Sequence, residues 1–421
     1  MKAAPKGMRL HIGLFGRRNV GKSSLLNALT QQQVSIVSSI AGTTTDPVEK
    51  PMELLPLGPV LFIDTAGVDD TGALGELRVK KTHGILDRTD LGLIVAVGSA
   101  WGAFEDEIAR QLRERGTPVI AVFNKRDLEE PPAALRARLQ EAGMAVALTD
   151  AARGDGIEEL REELVRCAPE AAVNPPSILG NLVSPGQAVV LVVPIDKEAP
   201  KGRLILPQVQ TIRDLLDNEA WCVVVKDRDL PDALASLKRK PALVVTDSQA
   251  FRKVDADTPK DIPLTSFSIL FARYKGDLSA FVRGAMAIER LRPGDRVLIA
   301  DACSHHPIED DIARVKLPAW LGERVGGPLA IANSQGRDWP EDLPDYRLIV
   351  HCGACMWNRR EMLSRILKAR QANVPITNFG MAIAWSLGIF ARALAPFPEA
   401  MEIYRAGGSA NEGAAAPRRV D

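Results

Sequence analysis

Apolar runs of strand length alternate with amphipathic stretches along the first part of the chain. The runs lie at residues 10–15, 60–63, 91–97 and 119–123, and 157–165 has the spacing of a helix with one apolar face. This alternation is typical of a parallel sheet with helices on both of its faces. The first 170 residues are therefore predicted to form one α/β domain.

Two further segments show the same alternation. A stretch rich in Pro and Ala without periodicity, 168–177, marks the first boundary. The strand candidates after it are 189–193, 222–225, 243–246, 297–300, 347–350 and 374–377. The helix candidates are 209–218, 232–238, 362–369 and 381–394. We predict α/β domains with mainly parallel sheets at 175–264 and 265–405, and a Gly-, Ala- and Pro-rich disordered tail at 406–421.

Composition and charge narrow the class of protein. Hydrophobic residues make up 46% of the 421 residues and charged residues 25%, an ordinary globular mixture. Lys plus Arg and Asp plus Glu both number 53, so the chain lacks the basic excess of a dedicated nucleic-acid binder. The N-terminus has no signal-peptide core, and no apolar run reaches the ~18 residues that span a bilayer. We expect a cytoplasmic protein without a membrane partner.

A phosphate-binding loop follows the first strand. Residues 16–23 fit the spacing G-x-x-x-x-G-K-S between a predicted strand and a predicted helix. Backbone amides of such a loop point at phosphates, Lys22 adds a positive charge, and the Ser23 hydroxyl can bind Mg²⁺. The residues expected to contact the nucleotide here are Gly16, Asn19, Val20, Gly21, Lys22, Ser23 and Ser24.

Two more motifs select the nucleotide. Asp64 ends an apolar strand in a D-T-A-G motif, where its carboxylate can hold Mg²⁺ through water and the Gly67 amide can sense the γ-phosphate. Asn124, Lys125 and Asp127 form an N-K-x-D motif after another strand. The Asp127 carboxylate can accept hydrogen bonds from the two N–H donors of guanine, which adenine lacks. The sequence therefore predicts a Ras-like P-loop GTPase domain at 1–170.

These motifs resemble the Era/EngA/TrmE-like branch of GTPases. The resemblance implies that Thr44, within G-T-T-T-D, ligates Mg²⁺, and that Asn19 holds K⁺ where Val68 replaces a water-orienting Gln. GTP hydrolysis is then expected to be slow and K⁺-stimulated, with Asn19, Lys22, Thr44, Asp64 and Gly67 as catalytic residues. Asp150-Ala151 departs from the usual Ser-Ala beside the base, although 154–160 still fits the pattern.

Cysteine and histidine gather at two places late in the chain. Cys303-Ser304-His305-His306 follows the strand candidate 297–300, and His351-Cys352-Gly353-Ala354-Cys355 follows 347–350. If these strands are parallel neighbours, both groups emerge at their carboxyl ends, where open α/β sheets place ligand sites. Spacing alone fits either a tetrahedral zinc site or an iron–sulfur cluster. Cys222 lies within an apolar run and is expected to be a core residue.

A GTPase domain followed by C-x-H and H-C-x-x-C resembles the HydF family, the maturation GTPase of FeFe-hydrogenase. The resemblance implies a dimerisation domain at 175–264 and a 4Fe–4S cluster on Cys303, Cys352 and Cys355 in the domain at 265–405. It further implies a homodimeric scaffold that receives a di-iron precursor made with the radical-SAM maturases HydE and HydG and delivers it to apo-hydrogenase.

Three cysteines leave one iron of a 4Fe–4S cluster without a thiolate. His305 and His351 are the first candidates for this position, followed by His306 and Asp301, and a role in orienting the thiolates is the alternative for the histidines. The rival function is a ribosome- or tRNA-associated GTPase with a structural zinc domain, which the balanced charge disfavours.

Overall fold

The computed structural model describes residues 5–30, 48–65, 82–174, 176–195, 204–302 and 312–409. Contacts divide these residues into two units. The first comprises the described residues of 1–176 together with 358–364, and the second comprises those of 177–357 and 365–421. No described helix is both long and apolar enough to cross a membrane.

The first unit contains a six-stranded sheet in the order β2-β3-β1-β4-β5-β6. β2 is antiparallel to β3, and the other pairs are parallel. The strands are β1 (Leu10–Phe15), β2 (Val48–Leu54), β3 (Gly58–Asp64), β4 (Leu91–Ala96), β5 (Val119–Phe123) and β6 (Ala145–Leu148). The helices are α1 (Lys22–Thr30), α2 (Ala103–Glu114), α3 (Ala133–Glu141), α4 (Ile157–Cys167) and α5 (Glu170–Val173).

Both faces of this sheet are covered, so its central strands are buried along their whole length. β1, β4 and β5 are buried at every position. Leu25 of α1 and Leu160 of α4 belong to the core on one face, and Ile108 of α2 and Leu139 of α3 to the core on the other. The carboxyl ends of β1, β3 and β5 lead directly into the three nucleotide motifs, as expected for a ligand site in an open α/β sheet.

The second unit contains two four-stranded parallel sheets, ordered β10-β9-β7-β8 and β12-β11-β13-β14. The strands are β7 (Ala188–Val192), β8 (Trp221–Val225), β9 (Leu243–Thr246), β10 (Leu264–Ser266), β11 (Arg296–Asp301), β12 (Ala330–Gln335), β13 (Leu348–His351) and β14 (Ile376–Asn378). Because parallel strands need crossovers, helices connect them.

The helices around the first of these sheets are α6 (Leu206–Asp217), α7 (Leu230–Ser236), α8 (Phe251–Asp257) and α9 (Phe267–Lys275). Later in the chain follow α10 (Leu278–Met286), α11 (Leu317–Val325), α12 (Arg359–Gln371), α13 (Phe379–Ser386), α14 (Phe390–Leu394) and α15 (Pro398–Ser409), of which α12 begins within the first unit. Single 3-10 turns lie at Lys6–Met8, Asp227–Asp229, Ser248–Ala250, Ala287–Arg290 and Leu343–Asp345, and a π-helical turn at Ile312–Lys316.

The α/β sheet of the first unit and the two parallel sheets that follow it confirm the predicted fold class. Some elements differ from their predictions. Segment 381–394 forms two helices, because Gly388 adopts φ +73° and ends the first of them. β2 and β12 are polar edge strands without an apolar run. Cys222 is half-buried on the edge strand β8, so the expectation of a core position was wrong.

Candidate functional site

The phosphate-binding loop has the backbone shape that its glycines and Asn19 require. Gly16, Asn19 and Gly21 have φ of +144°, +61° and +92°. A Cβ atom at Gly21 would lie 2.3 Å from Nδ2 of Asn124, so only glycine fits this close approach. Lys22 Nζ donates to the carbonyls of Gly16 and Arg17, both at 2.8 Å, and thus lies within the loop that would surround the phosphates.

Arg17 connects this loop to helix α2, an interaction that motif reading missed. Its guanidinium donates to both carboxylate oxygens of buried Glu105, with Nε to Oε1 at 2.9 Å and Nη2 to Oε2 at 3.1 Å. Glu105 Oε2 also accepts from the Gly102 amide at 2.9 Å. A bidentate pair of this kind fixes the direction of both partners. The P-loop is therefore connected to α2 through a side chain within its own motif.

The two residues predicted to bind Mg²⁺ touch each other. Ser23 Oγ donates to Asp64 Oδ2 at 2.8 Å. Burial raises the pKa of Asp64, while the charge of Lys22 and the hydrogen bond from Ser23 oppose this shift. Asp64 Oδ1 is buried and has no hydrogen-bond partner among the described residues. A buried carboxylate oxygen without a hydrogen-bond partner, next to a hydroxyl, is suited to a cation that is bound by oxygen atoms and keeps part of its water shell.

Asn124 joins the phosphate loop to the predicted base loop. Its side chain is only 2% exposed. Nδ2 donates to the carbonyl of Val20 at 3.0 Å, and Oδ1 accepts from Ala151 N at 3.0 Å and Thr149 Oγ1 at 3.2 Å. Lys125, at φ +57°, adds a second connection by donating from Nζ to the carbonyl of Asn19 at 2.7 Å. The N-K-x-D motif therefore organises two loops.

The base loop has an explanation for its unusual aspartate. Asp150 is buried, and its Oδ1 accepts from the amides of Ala152 at 3.0 Å and Arg153 at 3.2 Å. Short polar side chains of Asp and Ser both stabilise turns in this manner. Asp150 therefore holds the turn before α4, whereas Asp127 has an exposed side chain after β5. Ala151 provides the amide that binds Asn124.

Several predicted residues lie outside the described part of the chain. These are Thr44, Gly67 and Val68 of the switch motifs, and Cys303, Ser304, His305 and His306 of the first cysteine cluster. Within the described residues, no group of three or more His, Cys, Asp or Glu side chains is arranged to hold a metal ion. The predicted metal site that includes Cys303 therefore remains a prediction.

The second cysteine cluster follows the carboxyl end of strand β13, as the sequence predicted. β11 and β13 are parallel neighbours, with Ala300 opposite His351. Cys352 Sγ accepts from the Ala302 amide at 3.0 Å and from the Ala354 amide at 3.4 Å. Burial, followed by the charge of Asp301, raises the pKa of the Cys352 thiol to about 12, whereas the two amides act in the opposite direction. Two N–H donors aimed at sulfur suit a metal-bound thiolate.

His351 is fully buried at the end of β13. Its Nδ1 lies 2.8 Å from the carbonyl oxygen of Cys352. A carbonyl only accepts, so Nδ1 carries the proton and Nε2 carries the lone pair. Nε2 has no hydrogen-bond partner among the described residues. Burial, together with the charge of Arg365, lowers the pKa of His351 to about 3, which keeps the imidazole neutral. A neutral imidazole with an unused lone pair is the form that binds metals.

Lys275, which the sequence did not single out, lies against the Cys-x-x-Cys loop. It ends α9 and is 2% exposed. Its Nζ donates to the carbonyls of Cys355 and Trp357, both at 2.7 Å, and of Ala354 at 3.4 Å. Burial lowers the pKa of Lys275 to about 8, while the thiols of Cys355 and Cys352 act in the opposite direction. A charged residue at the end of a mostly apolar helix was the only hint in the sequence.

Comparison with known families gives three matches. The GTPase segment, residues 11–125, matches the 50S ribosome-binding GTPase family. Residues 178–276 match the Hydrogen maturase F dimerization domain, and residues 279–396 match the Hydrogen maturase F tetramerization domain.

The tRNA modification GTPases among the curated relatives match a little over a third of this chain. The tRNA modification GTPase MnmE of Burkholderia thailandensis is 39% identical over 165 residues, which is 38% of this chain and 35% of that protein. MnmE of Paraburkholderia xenovorans is 38% identical over 160 residues, 38% of this chain and 34% of that protein. The chain thus spans about a third of the length of these relatives.

Solved structures include an Aquifex aeolicus Era variant bound to GDP and AlF4⁻, at 20% identity and a TM-score of 0.34, covering 59% of this chain and 99% of that chain. The G domain of the T. maritima FeoB iron transporter has 23% identity and a TM-score of 0.29, covering 38% of this chain and 98% of that one. The two maturase models together span more than half of the sequence and follow a GTPase domain. The chain therefore belongs to the HydF family of hydrogen maturases.

Proposed function

We propose that the chain is a GTP-hydrolysing scaffold that carries a 4Fe–4S cluster and a di-iron precursor and delivers the precursor to apo FeFe-hydrogenase. One observation carries the nucleotide half of the proposal. Ser23 and Asp64 are in contact beside Lys22, and one Asp64 oxygen lacks a partner among the described residues. This arrangement suits Mg²⁺ and the phosphates of a nucleotide.

Each described residue then has a role in GTP turnover. Lys22 would exchange its loop carbonyls for β- and γ-phosphate oxygens, and the backbone amides of 19–24 would surround the phosphates. Ser23 would ligate Mg²⁺, and Asp64 would hold one of its waters. Asp127 would pair with guanine. Thr44 and Gly67 complete the proposal as the Mg²⁺ ligand and the γ-phosphate sensor.

Potassium is proposed as the cation that offsets transition-state charge. Asn19 has a φ of +61°, and its side chain is exposed. Lys125 donates to the backbone carbonyl of Asn19, so the side-chain amide remains available to a cation beside the phosphates. A cation at the transferring phosphoryl group acts where charge develops. Turnover would then be slow without K⁺.

The nucleotide proposal is tested by substituting Lys22. Lys22→Ala removes the buried cation from the loop and is expected to lose GTP binding or turnover, because the phosphates lose the positive charge that the loop supplies. Lys240→Ala, on an exposed lysine paired with Asp261, is the matched control. Wild-type turnover in Lys22→Ala would contradict the assignment.

The metal half of the proposal rests on the thiol environment. Two amides donate to Cys352 Sγ, and a buried cation lies beside the Cys-x-x-Cys loop. We propose that Cys303, Cys352 and Cys355 hold the cluster, which would supply the metal site where the precursor docks. His351 and His305 are the proposed candidates for the fourth position, because Nε2 of His351 carries an unused lone pair.

The carrier role follows from the family rather than from any group in the site. Precursor synthesis by HydE and HydG, and transfer to apo-hydrogenase, are therefore proposed from membership of the HydF family. The decisive assay is activation of apo-hydrogenase in vitro by precursor-loaded protein, with Cys352→Ala and Cys355→Ala as the variants. Activation that survives both substitutions would contradict the role of the cluster.

Homodimerisation is proposed through the edge of the β10-β9-β7-β8 sheet. Among the described strands β8 pairs only with β7, and it exposes Trp221 at 45% and Val224 at 43%. An unpaired edge with exposed apolar side chains is suited to strand pairing between copies. Residues 178–276, which include β8, match the maturase dimerization domain.

Light scattering on the full chain tests this interface. We expect an oligomer for the wild type and a lower mass for Val224→Lys, because the substitution would introduce a charge into the same interface patch on both copies. Val173→Lys introduces the same charge at an exposed residue of the first unit and should leave the mass unchanged. A monomeric wild type would contradict the proposal.

A further inference from the structure

Lys275 is a buried cation whose ammonium donates to backbone carbonyls and lies 6.0 Å from the centre of the Phe271 ring. Its Nζ lies within hydrogen-bond distance of the carbonyls of Ala354, Cys355 and Trp357. A neutral lysine amine has two N–H donors, whereas an ammonium has three. Three carbonyl acceptors therefore match the ammonium form. Residue 275 is separated from these acceptors by about eighty positions in the chain, so the contact is a product of the tertiary fold.

The three carbonyls belong to the loop that carries the Cys-x-x-Cys pair. Ala354 is held in the left-handed region at φ +46°, which a non-glycine residue adopts only when its surroundings impose it. The Trp357 amide also donates to the Ala354 carbonyl at 3.0 Å, closing the turn. Lys275 thus binds both ends of this turn and the carbonyl of one cysteine.

The thiols on this loop would become negatively charged on binding metal. Burial of an ammonium costs free energy unless an opposite charge or hydrogen bonds compensate it. The carbonyl dipoles satisfy its hydrogen bonds, yet its net charge remains. Cys352 and Cys355 are the groups whose thiolates would balance that charge. The Lys275 side chain can therefore both position the Cys-x-x-Cys loop and balance the negative charge of its thiolates.

We propose that Lys275 is a positioning residue that sets the conformation of the Cys-x-x-Cys loop and balances the negative charge of its metal-bound thiolates. This inference rests on the proposed iron–sulfur function. Two consequences follow. Without Lys275 the loop should open more readily even in the apoprotein, and any cluster formed should be lost faster and be harder to reduce.

The first measurement needs no metal. Hydrogen exchange is followed by mass spectrometry on the apoprotein of wild type, Lys275→Met and Lys240→Met, all as full chains. We expect faster exchange in peptides that cover residues 352–358 of Lys275→Met and no change in Lys240→Met, which removes an equal charge from an exposed site. Unchanged exchange in Lys275→Met would overturn the positioning role.

The second measurement uses anaerobic reconstitution with iron and sulfide. Lys275→Met should release iron to a chelator about tenfold faster than the wild type, the lower range seen when groups behind metal ligands are removed. Lys275→Gln keeps a donor but removes the charge, so it should retain iron better than Lys275→Met yet show a more negative reduction potential than the wild type. A wild-type release rate in Lys275→Met, or a wild-type potential in Lys275→Gln, would overturn the inference.

Failure of the inference is distinguishable from failure of the proposed function. If wild type and Cys352→Ser both bind no iron, the iron–sulfur proposal is wrong and the charge-balancing role falls with it, while hydrogen exchange still decides the positioning role. If wild type binds iron, Cys352→Ser loses it and Lys275→Met matches the wild type in both measurements, only the inference is wrong. Should Lys275→Met not fold, as judged by circular dichroism, Lys275→Gln decides both measurements by the same criteria.

Discussion

Asn124→Ala should weaken GTP binding although Asn124 need not touch the nucleotide. The side chain makes three hydrogen bonds, to the Val20 carbonyl, the Ala151 amide and the Thr149 hydroxyl, at 3.0, 3.0 and 3.2 Å. The net contribution of such a bond is about 1 kcal/mol, so the substitution removes about 3 kcal/mol of interactions that hold the two loops together.

Part of that loss appears in the binding constant. If about 2 kcal/mol must be recovered from GTP binding to order the loops, the Kd rises about thirtyfold, since 1.4 kcal/mol corresponds to a factor of ten. The assay is titration of a fluorescent GTP analogue at fixed Mg²⁺, combined with thermal unfolding of the same samples. Asn124→Asp should weaken binding as well, because an oxygen would replace the Nδ2 donor that faces the Val20 carbonyl.

Asn174→Ala is the matched control for this experiment. Asn174 is exposed and outside both loops, and its Nδ2 donates to Glu170 Oε1 at 2.6 Å. Its substitution should change neither the Kd nor the midpoint of unfolding. A folded Asn124→Ala variant that binds GTP within about twofold of the wild type would refute the reasoning, because a twofold change is worth only about 0.4 kcal/mol.

Three further predictions concern base choice, potassium and pH. Asp127→Asn should reduce the preference for GTP over other purine nucleotides, measured by competition binding, because the amide can no longer accept both guanine donors; unchanged selectivity would remove Asp127 from the base site. Turnover should be faster in KCl than in NaCl at equal ionic strength, and Asn19→Ala should lose that difference; equal wild-type rates would count against Asn19 as a K⁺ ligand. Burial lowers the pKa of His11 from 6.5 to about 4. A depressed folded pKa means that stability is fully present above pH 6.5 and is lost as the pH falls towards 4, by up to about 3 kcal/mol. His11→Gln should therefore show a smaller fall in its thermal midpoint than the wild type between these pH values, and an identical pH profile would contradict the burial argument.

The candidate nucleotide site could be proposed from the sequence because its motifs are short and contiguous. Residues 16–21 connect β1 to α1, which begins at Lys22. The burial of β1, β3 and β5 follows from the apolar runs that any parallel sheet requires. The strands before the two cysteine clusters were recognisable for the same reason, and their parallel pairing, which the sequence left as a condition, is observed.

Long-range contacts were not predictable from one sequence. Lys275 lies in a helix of mostly apolar residues and reaches a loop some eighty positions later, and no local pattern encodes that approach. Glu105 looks like an ordinary helix residue until its pairing with Arg17 is known. β12 has the sequence AIANSQ and becomes a strand through pairing with β11 rather than through propensity.

The central claim, a GTPase that carries an iron–sulfur cluster on three cysteines, is tested most directly by the metal content and absorption of the anaerobically reconstituted full chain. We predict a brown protein with broad charge-transfer absorption, about four iron and four sulfide per chain, and loss of both in Cys352→Ser. A colourless protein that binds one zinc and no iron would contradict the account and favour the rival, a GTPase with a structural zinc domain.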